Sequence, residues 1–160
     1  MARKMNYVDL LAKYSPTPRH INSPSYDSAL AELSEIYGLQ VISYKATDEH
    51  NGWVIPPKYN VREAYIKKSR EVIFEAHHAL NVISYSTSFH GRVSGSELKE
   101  HCFYDARRPN AIPYHFRQSY RPWDRTWGFC TTKYFWDSID VNAEYQVNIS
   151  VEEGEREIRI

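Results

Sequence analysis

The sequence predicts an α+β chain: N-terminal helices and one strand, followed by an antiparallel β-domain of about six strands, barrel- or sandwich-like. Two patterns and one composition lead there. Apolar residues recur with helical spacing before Gly38 and with the two-residue spacing of strands after Tyr59, where the breaks are short and turn-like. Aromatic residues are abundant, 13 Tyr, 6 Phe and 4 Trp, or 14% of the chain, a share that suits sheet surfaces and binding faces better than helical bundles.

In chain order, Asn6 is placed to cap a short helix reaching Tyr14, with Leu10, Leu11 and Tyr14 on one face and Asp9 in the first turn. Ser15-Pro16-Thr17-Pro18 ends it. Ser23-Pro24 opens the strongest helix, in which Tyr26, Ala29, Leu30, Leu33 and Tyr37 line one stripe and Gly38 is the stop. Leu39 to Tyr44 reads as a strand, and a polar loop through Asp48, Glu49, Asn51 and Gly52 leads to Trp53 and the breaker Pro56-Pro57. Val61 to Ile66 and Val72 to Ala76 flank a Lys67-Lys68-Ser69-Arg70 turn and predict a hairpin.

Ile83, Tyr85, Thr87 and Phe89 alternate with Ser84, Ser86, Ser88 and His90, which predicts a strand wet on one face. Ser94-Gly95-Ser96-Glu97 is a capping box for a short helix to about Cys102. Residues 105–127 hold Pro109, Pro113 and Pro122 without a stable period and predict a long ordered loop, a class of loop that is often functional. Strand character returns from Trp127 to Phe135 and again at Tyr145, Val147, Ile149 and Val151. A turn at Glu152 to Glu155 opens a last strand with Ile158 and Ile160. That strand stops without a cap or a following element, so the chain reads as interrupted. Residues 60–151 are expected to form the cooperative core, with residues 1–45 in a dimer interface or weakly protected.

Composition narrows the function classes. The 160 residues are 42% hydrophobic and 25% charged, as in ordinary soluble domains, and no stretch approaches the ~20 apolar residues of a membrane span. Twenty basic and 20 acidic side chains cancel, so nothing steers the chain toward nucleic acid or an anionic membrane. The N-terminus lacks the apolar core of a secretory signal, which predicts a cytoplasmic protein and makes the Asn148-Ile149-Ser150 sequon a chance match. Cys102 and Cys130 are accordingly read as thiols.

Metal and nucleophile chemistry find little support in the spacings. His77-His78 are neighbours, and adjacent side chains on a strand point to opposite faces; His101-Cys102 has the same defect on a helix. Neither Cys sits in a catalytic signature. The most informative stretch is residues 111–127, which interleaves Arg117, Arg121 and Arg125 with Tyr114, Phe116, Tyr120, Trp123 and Trp127. Such a loop can hold a carboxylate in Arg forks, stack a sugar or base on an aromatic plane, or cover a neighbouring domain; equally, its aromatics can pin it by packing beneath it. Tyr114, Arg117, Ser119, Tyr120, Trp123 and Trp127 are the candidate substrate- or partner-binding residues.

With these residues laid out, the chain resembles a bacterial family of zinc aminopeptidase-like proteins associated with polysaccharide biosynthesis gene clusters, which carry an extra small β-domain of unassigned function. The resemblance rests on Trp53-Val54-Ile55-Pro56-Pro57-Lys58-Tyr59-Asn60-Val61-Arg62-Glu63-Ala64-Tyr65-Ile66, on Val82-Ile83-Ser84-Tyr85-Ser86 leading to His90-Gly91, and on the Ser96-Glu97-Leu98 helix start. It continues through Ala111-Ile112-Pro113-Tyr114, Ser119-Tyr120 and Trp127-Gly128-Phe129-Cys130. The resemblance implies that residues 1–55 are the helical leader and first strand of a peptidase-like domain, and that residues 56–160 are an inserted, lid-like β-domain near its cleft. The family's zinc ligands come later, in a His-rich motif and an Asn-Asp pair that this sequence does not reach. No catalytic residue carries over, no cofactor is expected in this chain, and zinc is expected only in a full-length relative.

Two functions follow as expectations. One is a non-catalytic substrate-covering or partner-binding part of such a protein, inactive by itself. The alternative is a stand-alone carbohydrate-binding module using Tyr114, Tyr120, Trp123 and Trp127 as platforms. Expected partners are a peptide or sugar-like small molecule and either a second copy or the missing peptidase half, with neither nucleic acid nor membrane.

Overall fold

The computed structural model describes residues 6–17, 19, 22–77, 79–116, 118, 121, 123–154 and 158–159. The chain folds as two compact units, one of residues 1–60 with 153–160 and one of residues 61–152. The class is α+β, as the periodicities predict.

In the first unit, α1 spans Tyr7–Tyr14, and Asn6 caps it by accepting the Asp9 N–H at 3.0 Å. Helix α2, Pro24–Tyr37, is capped by Ser23, whose Oγ accepts the Tyr26 N–H at 3.2 Å; it ends where Gly38 turns left-handed at φ 66°, a conformation that costs glycine little. Lys13 of α1 pairs with Glu32 of α2. The predicted strand at 39–44 shortens to β1, Ser43–Tyr44, which pairs antiparallel with β10, Ile158–Arg159. Leu39, Val41 and Ile42 are exposed instead of entering a sheet.

The polar stretch expected as a loop folds as a two-strand ladder, β2 Glu49–His50 against β3 Trp53–Val54. Asn51 and Gly52 have φ of 51° and 79°, the pair of positive angles that a two-residue hairpin demands. Asn22, fully buried at φ 57°, fastens the Pro56 region: its Nδ2 donates to the Pro56 carbonyl at 2.7 Å and its own carbonyl accepts the Tyr59 N–H at 3.1 Å. Asp27 of α2 pairs with Lys58.

The main sheet has the order β5–β4–β9–β6, from β4 Lys58–Lys68, β5 Glu71–Glu75, β6 Phe89–Ser94 and β9 Glu144–Gly154. The hairpin at 67–70 forms as predicted, with Ser69 left-handed at its turn. The serine half of the capping box forms: Ser94 Oγ accepts the Glu97 N–H at 3.1 Å and starts α3, Gly95–Glu100. Ala64 and Ile66, Val93, and Tyr145, Val147 and Ile149 face one core with Leu98, Cys102, Phe129 and Ile139. With β5 and β6 at its edges the sheet is open, so the barrel option falls. The β-domain is also not wholly antiparallel, because β7, Cys102–Phe103, and β8, Phe129–Cys130, pair in parallel.

Two predicted strands are corrected. Residues 83–88 form a loop, buried through Ser86 and exposed by Ser88, and regular pairing begins only at Phe89. All of Val82–Ser86 are buried, Ser84 and Ser86 included, and Tyr85 adopts φ 53°. Alternation mimics a half-wet strand, but through Ser86 both rows are enclosed, and a left-handed residue breaks the pleat. After Cys130 the chain turns helical: Thr132 accepts the Phe135 N–H at 3.1 Å and starts α4, Lys133–Ser138. A local cap thus overrides the strand propensity of the aromatic run.

Gly95 lies where α3 meets the segment before β9, and a Cβ there would come within 1.9 Å of the Asp140 carbonyl oxygen. Gly95→Ala is therefore expected to destabilise the chain by about 3 kcal/mol or more. At Gly154 a Cβ would meet only the Lys58 Cβ, at 4.0 Å, so Gly154→Ala should change stability by less than about 1 kcal/mol. Paired urea denaturation curves check both, and equal midpoints for the two variants would contradict the packing.

Candidate functional site

The loop predicted as a binding element is anchored at its base by three side chains. Trp127 is only 7% exposed and lies between two rings, His101 at 3.8 Å between centroids and Phe89 at 4.4 Å, both nearly parallel to it. His101 Nδ1–H also donates to the Trp127 carbonyl at 2.8 Å, a tautomer set by that acceptor. Gly128 follows because a Cβ there would lie 2.7 Å from the His101 carbonyl oxygen. That same carbonyl accepts the Phe129 N–H at 2.8 Å.

The second and third anchors converge on Tyr85. Arg125 Nε donates to the Tyr85 carbonyl at 2.9 Å, and its guanidinium lies 5.9 Å from the Tyr85 ring. Gln118 is buried, and with its amide oriented by the surrounding donors and acceptors it donates to the carbonyls of Tyr85 and Thr126 and accepts the Thr126 N–H, each at 3.1 Å. Backbone bonds complete the seam: Ile83 N–H to Gly128, Ser84 N–H to His115 and Thr87 N–H to Thr126, at 3.1, 2.8 and 3.1 Å. A left-handed, non-glycine residue persists only where its surroundings over-determine it, and these bonds do so at Tyr85.

Toward the tip the loop opens. His115 still stacks on Phe103 at 4.1 Å, and its N–H meets Cys130 Sγ at 3.3 Å. Tyr114 is half-buried, 6.4 Å from the Phe116 ring. Phe116 is 57% exposed and Trp123 79% exposed, and Ile112 and Arg121 also face water. The backbone near Trp123 is turned by two bonds, Arg121 N–H to Gln118 at 3.3 Å and Asp124 N–H to Arg121 at 3.0 Å. Of the six candidate residues, Trp127 has both faces covered and acts as a root, Trp123 stands open, and Tyr114 lies between these extremes. Arg117, Ser119 and Tyr120 lie outside the described residues. The roles of Gln118 and Arg125 as clamps were not legible in the sequence, because the acceptor they share exists only once Tyr85 turns left-handed.

Among the described residues no three His, Cys, Asp or Glu side chains gather as a metal site would require; His78 of the His77-His78 pair lies outside them. Cys102 and Cys130 are free, buried thiols. Burial pushes Cys102 up to about 12 and Cys130 up to about 11, from an ordinary 9.0. Such thiols stay protonated at neutral pH and make poor nucleophiles.

Trp127→Ala is expected to cost about 3–5 kcal/mol of stability, as for other buried Trp truncations. Trp123→Ala should stay within about 0.5 kcal/mol of the parent. Chemical denaturation of both variants tests this, and a Trp123 variant as damaged as the Trp127 variant would show that the tip is packed rather than open. The thiols supply a second expectation. A Cys whose pKa is higher folded than unfolded retains its proton more tightly in the folded state, so stability is held below pH 9 and falls as pH rises from there toward 12. At pH 8 a thiol reagent should label the protein only as fast as it unfolds. Rapid labelling of the native chain would contradict the burial.

Comparison with known proteins places this geometry. Over 149 residues, 91% of this chain, it is 26% identical to a Clostridium acetobutylicum protein named for polysaccharide biosynthesis with an aminopeptidase-like domain. The match occupies 33% of that relative, so the chain spans about a third of its length. A crystal structure of a C. acetobutylicum protein named as a peptidase superposes on 94% of this chain and 35% of its own, with a TM-score of 0.78 at 23% identity, which establishes the fold. Both agree with the resemblance drawn from the sequence. Residues 58–152, more than half of the chain, match the family described as Domain of unknown function (DUF2172), and the chain belongs to that family.

Proposed function

We propose that this chain is the non-catalytic, substrate-covering or partner-binding portion of an aminopeptidase-like protein. One observation carries the reading: the loop at 111–127 is clamped at its base by Trp127, Gln118 and Arg125 while it presents Trp123, 79% exposed, and Phe116 at its tip. An exposed indole on a rigid support binds with little loss of side-chain entropy and suits an interface anchor. The similar proteins are about three times longer and one is named for an aminopeptidase-like domain, which supplies a body for such a tip to cover.

A second feature supports attachment to a larger body. Helix α1 is held to α2 through the Lys13–Glu32 pair, while Tyr7, Val8 and Leu11 are 86%, 74% and 70% exposed. Leu10 and Tyr14 are the half-buried residues of this helix, and its remaining large apolar side chains face outward. On this reading zinc and its ligands belong to the rest of such a protein, and the protein works in the cytoplasm. Among the described residues no helix is long and apolar enough to cross a membrane.

The open Trp123 ring equally favours the second reading, a carbohydrate-binding module, although the burial of Trp127 removes one of its four platforms. The two readings separate by experiment. The purified chain with Zn²⁺ should release no product from aminoacyl chromogenic substrates. When it replaces the matching third of the C. acetobutylicum relative, Trp123→Ala should raise KM for such substrates by roughly tenfold, the loss expected of an interface anchor. Metal-dependent turnover by the chain alone would overturn the first reading. Binders on a glycan array that vanish with Trp123→Ala would establish the second.

A further inference from the structure

We propose that Asn51 is a site of covalent self-modification, at which the Gly52 amide nitrogen attacks the Asn51 side-chain amide and the His50 imidazole gives a proton to the departing amine. Of the eight Asn in the chain, Asn51 is the one followed by Gly. Asn6, Asn22, Asn60, Asn81, Asn110, Asn142 and Asn148 precede residues whose β-carbon shields the next amide nitrogen. Asn51 and Gly52 are both exposed at the turn of the β2–β3 hairpin, and nothing lies within 4 Å of the place a Cβ would take on Gly52. The ladder pairs Glu49 with Val54 and His50 with Trp53. A two-residue turn leaves its central N–H outside that ladder, so the Gly52 nitrogen is not committed to it.

The neighbouring imidazole completes the arrangement. His50 Nε2 lies 3.4 Å from Asn51 Nδ2, the atom that must leave, and the ring is steadied by Tyr44 at 5.0 Å between centroids. In the reaction the Gly52 nitrogen loses its proton to solvent base and bonds to Asn51 Cγ. The Cγ–Nδ2 bond then breaks, and Nδ2 departs as ammonia with a proton from the imidazolium. Water opens the resulting cyclic imide. Cleavage at the side-chain carbonyl leaves an aspartyl residue, and cleavage at the main-chain carbonyl leaves an isoaspartyl residue.

Each product changes the hairpin in its own way. A new carboxylate joins Asp48 and Glu49 at one turn and adds like-charge repulsion there. An isoaspartyl linkage also lengthens the backbone inside a turn whose length sets the strand register, so the β2–β3 pairing is lost. The modification thus acts as a one-way release of this hairpin.

The test uses the whole purified chain, held for days at neutral pH and assayed with an isoaspartate methyltransferase and labelled S-adenosylmethionine, with peptide mapping to locate the label. Label is expected on the peptide containing residues 50–53. It should be absent in Asn51→Gly, which keeps the positive-φ turn. His50→Gln should label about tenfold more slowly, below the range of enzymic general acids because an exposed ring is less firmly placed. In urea the parent and His50→Gln should label at the same rate, since the 3.4 Å contact is then gone. Circular dichroism confirms that both variants fold. An unlabelled parent, or label that survives Asn51→Gly, would overturn the site, and an unchanged rate in folded His50→Gln would overturn the role of the imidazole.

Discussion

Much of this fold depends on the enclosure of one indole. Trp127 lies between His101, at the end of α3, and Phe89, at the start of β6, so a single side chain ties a helix end, an edge strand and the end of the long loop. The stack is possible because Gly128 lets the backbone approach the His101 carbonyl, where any Cβ would collide. Burying an aromatic of this size contributes a few kcal/mol, a large fraction of the net stability of a domain. The hydrogen bonds from Ile83, Ser84 and Thr87 to the loop then satisfy a segment that belongs to no strand. Buried backbone must find such partners, and the loop provides them.

That enclosure also divides the aromatic residues by role. At the loop's root Trp127 has its faces covered by His101 and Phe89, His115 further along stacks on Phe103, and in the core beneath Phe74 meets Phe129 edge-on at 5.5 Å. Near its tip, Trp123 stays 79% exposed, and Phe116 is 57% exposed beside the Tyr114 ring. A rigid root with an open tip is the division of labour that recognition requires, because an anchor ordered in advance loses less entropy on binding. The outer face of the sheet is polar by contrast. His90 donates to Asn148 at 2.5 Å, Asn148 donates to Glu63 at 3.1 Å, and Arg92 meets Glu144 at 3.0 Å. Exposed networks of this kind order side chains and add little stability.

The elements most legible in the sequence were those stated by a few neighbouring residues. Asn6, Ser23 and the Ser94-to-Glu97 box each cap the helix their spacing indicated, and Gly38 ends α2 in the left-handed conformation. The β4–β5 hairpin and β9 likewise follow from two-residue alternation. Asn51-Gly52 carried an equally local hairpin signal that the polar composition of the loop obscured, and Thr132 carried a cap signal hidden beneath aromatic strand propensity.

By itself, then, the sequence determined the fold class, the limits of α1 and α2 and the start of α3, the main hairpin, and which loop concentrates aromatic and guanidinium groups. These depend on interactions within a few residues, which a linear pattern encodes. Only the tertiary structure decided that 83–88 is a loop with 83–86 buried, that Cys102 and Cys130 sit on paired parallel strands, and that Trp127 is a root while Trp123 is exposed. The physical reason is that periodicity reports whether a side chain is apolar, not whether both of its faces will be covered. Coverage comes from His101, Phe89, Gln118 and Arg125, which reach the same place only after the sheet and α3 have brought distant parts of the chain together.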